Sequence, residues 1–190
     1  RPALLRRAID SVLAQRYPGP VDVIVVFDRC APDDELRRRD RHRSVRVLGN
    51  RRTPGLAGAR NTGILAATGE LVAFCDDDDL WLPGKLAAQV RALEEHPDVE
   101  LMTTGVLVDA RGRLSTRVLD RERITHAELL RSRRSEAHPS TFLVRRRALV
   151  EGIGLVDEDL PGSYAEDYDL LLRARTALRR NRREPRAWLA

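Results

Sequence analysis

Lysine is almost absent from this chain. Lys85 is the only one, and every other member of its 34 basic residues is arginine. Aromatic residues are also scarce, at 4%, and none interleaves the basic clusters at Arg37–Arg39, Arg145–Arg147 and Arg179–Arg186. That scarcity excludes the stacking platforms that grip single-stranded nucleic acid, so no nucleic-acid partner is expected. There is no run of about 18 apolar residues and no recognisable signal peptide, so no membrane-spanning helix is expected. Only Cys30 and Cys75 carry thiols, without CxxC spacing or a zinc-type His pairing. Each follows an apolar run, as a small buried residue in a reducing cytoplasm would. A P-loop Gly-Lys-Ser/Thr and a GxGxxG after the first strand are both missing, which excludes those two phosphate cradles.

What is present suits one globular domain: 190 residues, 42% hydrophobic and 33% charged, with a net charge of +5. Arg-rich coding bias accounts for much of that charge, and an anionic partner such as a nucleotide or an acidic membrane is compatible with it. Leu4, Leu5, Ala8, Ile9, Val12 and Leu13 recur at helical spacing over 3–16. The run VDVIVVF (21–27) reads as a strand buried on both faces. Further strands are expected at 44–48, 70–75, 99–109, 114–119 and 140–146. Helices are expected at 55–69, closed by Gly69, at 81–96 with Pro83 in the first turn, and at 163–178. Thr125 and Glu128 have the spacing of a capping box. Alternating strands and helices predict an α/β fold, a mostly parallel sheet with helices on both faces. In such sheets ligands bind beyond the carboxyl ends of the strands.

Two acidic sites fall at such ends, Asp28 and the run Asp76–Asp79. Four adjacent carboxylates repel one another unless they are solvated, capping or neutralised. Asp79 could cap a helix starting near Leu82. A buried strand delivering the run to a ligand crevice favours a hard divalent cation, Mg²⁺ or Mn²⁺, shared with substrate phosphates. An EF-hand is excluded, because positions 76–87 read DDDDLWLPGKLA, with no Gly at 81 and Ala87 where Glu is needed. A second acidic group, Glu166, Asp167 and Asp169, opens a helix, where acids also suit the helix dipole.

The block GLAGARNTGILAATGELVAFCDDDDLWLPGKL resembles the central block of family 2 glycosyltransferases, the inverting GT-A class. LLRRAIDSVLAQRYP, VDVIVVFD and SYAEDYDLLLR resemble that family's first helix, second strand and Glu-Asp motif. The resemblance implies a GT-A domain over about 1–176, with a nucleotide-binding part near 1–98, an acceptor-side part near 99–176, and a basic segment at 177–190. It implies a sugar donor carried on UDP, dTDP or GDP, an acceptor hydroxyl and a Mg²⁺ or Mn²⁺ cofactor. By the same resemblance Asp78 is the main metal ligand, and Asp76, with Asp77 in the motif, meets the metal and the nucleotide-sugar. Asp28 holds the base, Arg60 lies near base and phosphates, and Asp167, beside Glu166, is the general base. FDRC stands where the family has Asp-Asp-Gly-Ser, and only Asp28 keeps that pattern. The family's first strand would precede Arg1, so the sheet is expected to lack a central strand and the chain to be missing sequence at one or both ends.

Among other side chains, His138 could face the diphosphate or the acceptor, Trp81 reads as core, Arg145–Arg147 as a solvated strand end, and Ser163 and Tyr164 as shapers of an acceptor site. A sugar-phosphate nucleotidyltransferase and a non-catalytic metal or nucleotide module are the competing functions. The first would want an early Gly-rich basic loop, which the chain does not show. A cytoplasmic location is expected, with peripheral contact at the inner membrane face through the arginines compatible with it.

Overall fold

Helix α1 (Pro2–Leu13) opens the fold with Pro in its first turn, where its missing N–H costs nothing. Its apolar stripe, Ala8, Ile9 and Val12, is buried. This computed structural model describes residues 1–119, 123–160, 165–180 and 188–189. Strand β1 (Val21–Phe27) pairs in parallel with β3 (Arg43–Gly49), and the short β2 (Arg38–Arg39) lies antiparallel on β3's other edge. After helix α2 (Leu56–Ala66) comes β4 (Leu71–Ala73), which belongs to a second sheet. Helix α3 (Lys85–Glu95), β5 (Leu101–Thr103) and the hairpin β6 (Val106–Ala110)–β7 (Arg113–Arg117) follow. Then come α4 (His126–Arg131), β8 (Leu143–Arg145), α5 (Glu166–Arg180) and β9 (Trp188–Leu189). The second sheet has the order β4-β8-β5-β9, with β8 antiparallel to both of its neighbours.

Helices cover both faces of the second sheet. Val72, Leu101 and Val144 point to one side and pack with Ile64 of α2 and Leu170 and Leu171 of α5. Met102 and Leu143 point to the other and meet Leu86, Val90 and Leu93 of α3 and Val12 of α1. Alternate side chains of one strand thus feed two cores, which is why the strands read as continuous apolar runs.

Several element boundaries differ from the sequence pattern. Helix α2 stops at Ala66 with an extended Ala67, before Gly69 can act as its cap. Helix α3 starts only at Lys85, because Gly84 takes φ +88 as its N-cap and Pro83 stays outside. The strand expected at 99–109 breaks at Gly105, where an added Cβ would stand 2.8 Å from Val118 Cγ2. Arg145 is no solvated strand end: its Nε donates to Val99 O at 2.9 Å and its Nη2 to Leu93 O at 2.9 Å, tying the last turn of α3 to the sheet. The Thr125–Glu128 capping box is formed.

Among the described residues the two sheets are not joined by hydrogen bonds. Between β1 and β4 lies a cavity of about 690 Å³, lined by Val23, Val25, Leu71 and Ala73 and roofed by α1 and α2.

A network at α2 clips the two halves together. Asn61, fully buried, donates to Val156 O at 2.8 Å and accepts from Val156 N at 2.9 Å. It also donates to Glu158 Oε1 at 2.6 Å, and Glu158 further accepts from Arg52 and Thr53. Burial alone would raise the Glu158 carboxyl, but these hydrogen bonds outweigh it and hold it at about 2, below its ordinary 4.5. A depressed folded pKa gives stability that is complete above the unfolded value and lost as pH falls from 4.5 through about 2. Glu158→Gln is therefore expected to lower Tm at pH 7 and to flatten the acid limb of the Tm–pH curve across that window. An acid limb identical to wild type would refute this role.

Candidate active site

Each acidic residue of interest sits where an apolar strand or a packed helix ends. Asp28 follows β1 and accepts from Asn50 Nδ2 at 2.7 Å. Asn50 follows β3, and its backbone N–H donates to Phe27 O, so the two parallel strands deliver the pair together. Arg60 projects from the middle of α2 and Asp76 lies three residues beyond β4. Asp28, Arg60, Asp76, Asp77 and Asp78 all line the mouth of the large cavity. Gly58 lets the 50–55 loop lie against α2, since a Cβ there would stand 1.9 Å from Thr53 O.

Arg60 is the junction of the site. Its side chain is only 11% exposed, and its guanidinium donates to Glu166 Oε1 at 2.6 Å and to Asp76 Oδ1 at 3.2 Å. Glu166 is buried, so it is a carboxylate neutralised inside the protein rather than a group open to substrate. Its neighbour Asp167 is also largely covered, its side chain 12% exposed, but it meets a different arginine: Arg133 Nη2 donates to its two oxygens at 3.3 and 3.1 Å. Arg60 and Asp167 share a small crevice with Phe74 and Phe142. The Glu-Asp pair thus divides between two arginines, Glu166 on the buried Arg60 and Asp167 on the exposed Arg133. Ser163 and Tyr164 lie outside the described residues.

The acidic run folds as a turn, with Asp79 N donating to Asp76 O at 3.1 Å. Because α3 begins at Lys85, Asp79 caps no helix and faces His138 instead, with Oδ2 3.4 Å from Nδ1. His138 Nε2 lies 4.0 Å from Asp76 Oδ2. The imidazole is held by a short 3₁₀ turn, Pro139–Thr141, whose Ser140 hydroxyl also accepts from Asp76 N at 3.0 Å. Asp76, Asp79 and His138 offer ligand atoms within 4.8 Å of one another. Two carboxylate oxygens and an imidazole nitrogen form a donor set that fits Mn²⁺ and, with water, Mg²⁺. Asp77 and Asp78 lie outside that group and pair with Arg1 at 2.8 and 2.6 Å on the exposed surface. Sequence spacing had no means of finding His138 and Asp79 as partners, because they come from turns 59 residues apart in the chain (138 − 79).

Beneath the turn, Lys85 stands 4.0 Å from the centre of the buried Trp81 ring and donates to Gln89 Oε1 at 2.7 Å. Burial lowers its ammonium to about 8. Burial first, then Asp79 and Asp76, push the Cys75 thiol up to about 12, which leaves it un-ionised and inert at neutral pH. Both cysteines were expected to be buried; Cys75 is half-buried and Cys30 is exposed.

Comparison with known proteins shows the family. Residues 1–152 match the profile of Glycosyl transferase family 2. The chain belongs to that family. A Rickettsia prowazekii protein described as an uncharacterized glycosyltransferase, RP339, is 30% identical over 172 residues, 87% of this chain and 52% of its own length. The uncharacterized protein y4gI of Sinorhizobium fredii is 31% identical over 179 residues, 90% of this chain but 19% of that one. The Escherichia coli UDP-Glc:alpha-D-GlcNAc-diphosphoundecaprenol beta-1,3-glucosyltransferase WfgD is 34% identical over 84 residues, 44% of this chain and 33% of its own. The chain therefore spans between a fifth and about half of these relatives. Among solved structures, S. aureus TarS superposes with a TM-score of 0.70 at 21% identity over 98% of this chain and 32% of TarS, which shows the shared GT-A fold. This family 2 domain is that of a transferase enzyme, and the described residues include no helix long and apolar enough to cross a membrane.

Proposed function

We propose that this domain transfers a sugar from a nucleotide-diphosphate sugar to an acceptor hydroxyl in a single, metal-dependent displacement that inverts the anomeric centre. The observation that carries the reading is Arg60, whose one guanidinium joins Asp76 of the acidic turn to the helix start that bears Asp167. Donor-side and acceptor-side groups are thereby held in one frame.

In this reading the nucleotide lies across the mouth of the large cavity, with its base against Asp28 and Asn50 and its diphosphate near Asp76. Asp76, with Asp78 as the resemblance implies or with Asp79 and His138 as the donor set suggests, would hold a divalent cation. Such a cation, when bound, offsets the charge developing on the departing diphosphate. Asp167 takes the proton from the acceptor hydroxyl, while Glu166 and Arg60 keep its helix in place. The acceptor of WfgD is named as a sugar on a lipid diphosphate, and an acceptor of that class, met at the inner membrane face, fits the arginine-rich surface here.

Calorimetric titration with UDP, dTDP and GDP, with and without Mn²⁺, tests the donor side. Binding of one nucleotide that requires Mn²⁺ is the expected result. A folded protein that binds none of the three would overturn the proposal.

A further inference from the structure

The carboxylate of Asp167 is not open to an acceptor as it stands. Its side chain is 12% exposed, and the guanidinium of Arg133, whose side chain is 58% exposed, stands on both of its oxygens. The pairing is fixed from both sides. Tyr168, next to Asp167, donates its hydroxyl to Leu129 O and lies 3.2 Å from the carbonyl of Ser132, next to Arg133. Two adjacent positions on one segment are thus pinned to two adjacent positions on α5. A loop side chain meeting the helix by chance would lack that second anchor.

The same segment is over-supplied with cations. Arg131, Arg133 and Arg134 fall within four residues, and among the described residues only Arg133 has a carboxylate partner. A guanidinium matches a phosphate through paired hydrogen bonds at least as well as it matches a carboxylate. An anion arriving at this surface therefore competes directly with Asp167 for Arg133.

We propose that Arg133 is the acceptor-side phosphate subsite: it binds a phosphate or diphosphate group carried by the acceptor, and in doing so leaves Asp167 free to accept the proton of the acceptor's hydroxyl. The inference rests on the transferase reading and its phosphate-bearing acceptor, and adds the residue that holds that phosphate near the hydroxyl that reacts. Before an acceptor arrives, the paired Asp167 is withheld from water, which limits wasteful hydrolysis of the donor.

The test needs neither donor nor turnover. Methyl diphosphate is titrated into the protein in metal-free buffer with EDTA, with N-acetylglucosamine as the neutral control, and binding is read by calorimetry. Asp167→Asn removes the internal competitor and is expected to tighten diphosphate binding about 10-fold or more, the scale of one charge-assisted hydrogen bond. Arg133→Ala is expected to weaken it by a similar factor, and Arg133→Lys to restore part of it. Arg133 is exposed, so these variants should fold, and an unchanged Tm verifies that. Equal affinity in wild type and Arg133→Ala, or no diphosphate binding even by Asp167→Asn, would overturn the proposal. In a separate titration without EDTA, displacement of methyl diphosphate by UDP with Mn²⁺ would assign Arg133 to the donor and also overturn it. Failure of the transferase reading looks different: no nucleotide binds, while the diphosphate still depends on Arg133.

Discussion

Asp167→Asn is expected to lower the transfer rate about 10²- to 10⁴-fold, the range a positioned general base supplies, with nucleotide affinity unchanged. The amide keeps the size of the side chain and can still meet Arg133, so the fold should not suffer. Glu166→Gln gives the contrasting result. Glu166 is buried against Arg60, and neutralising it leaves an arginine whose side chain is 11% exposed without one of its two charge partners. Losing one member of a buried pair costs several kcal/mol, about 3–5. Tm should therefore fall clearly in Glu166→Gln and hardly at all in Asp167→Asn. Release of nucleoside diphosphate from the donor, followed beside thermal unfolding, separates the two. Wild-type turnover in Asp167→Asn would remove Asp167 from the chemistry.

The second large effect concerns the acidic turn. Asp76→Asn is expected to abolish Mn²⁺-dependent nucleotide binding, a loss beyond the roughly 10- to 100-fold that changes behind the ligands cause. Asp76 is the shared member of both candidate ligand sets. It approaches His138 on one side and Arg60 on the other, and its backbone is held by Ser140. The remaining ligands follow from two more variants. If His138→Ala loses Mn²⁺ affinity and Asp78→Ala does not, the cation lies on the Asp79–His138 side. The reverse outcome places it on Asp78, as the resemblance implies, and makes His138 a partner of the turn only. Electron paramagnetic resonance of Mn²⁺ reads this without turnover. Unchanged affinity in Asp76→Asn would remove the metal from the turn altogether.

The sequence by itself determined the elements that local chemistry dictates. The apolar runs at 21–27 and 70–75 became strands, or the core of one, because β-branched and apolar side chains suit a pleated surface, although only Val25 of the first run is buried, where burial on both faces was expected. Thr125 and Glu128 formed their box because capping is completed within one turn. The placement of Asp28 and Asp76 beyond strand ends, and the central block of the family, were legible for the same reason. Where the sequence pattern misplaced an end, at Gly69 or Pro83, the neighbouring residue chose a backbone conformation that composition does not reveal.

Only the tertiary structure decided who faces whom. Arg60 reads locally as a helix residue; its partners, Glu166 and Asp76, are 106 and 16 positions away. Asn61 reaches Glu158 across 97 positions, and Asp167 meets Arg133 across 34. Such contacts leave no period in the chain, because they are set by how layers stack rather than by the rise of a helix or the pleat of a strand. That is why the carboxylates could be found by reading, while the division of labour between Glu166 and Asp167 could not. It depended on which side of one helix start turned toward a buried arginine and which toward an exposed one.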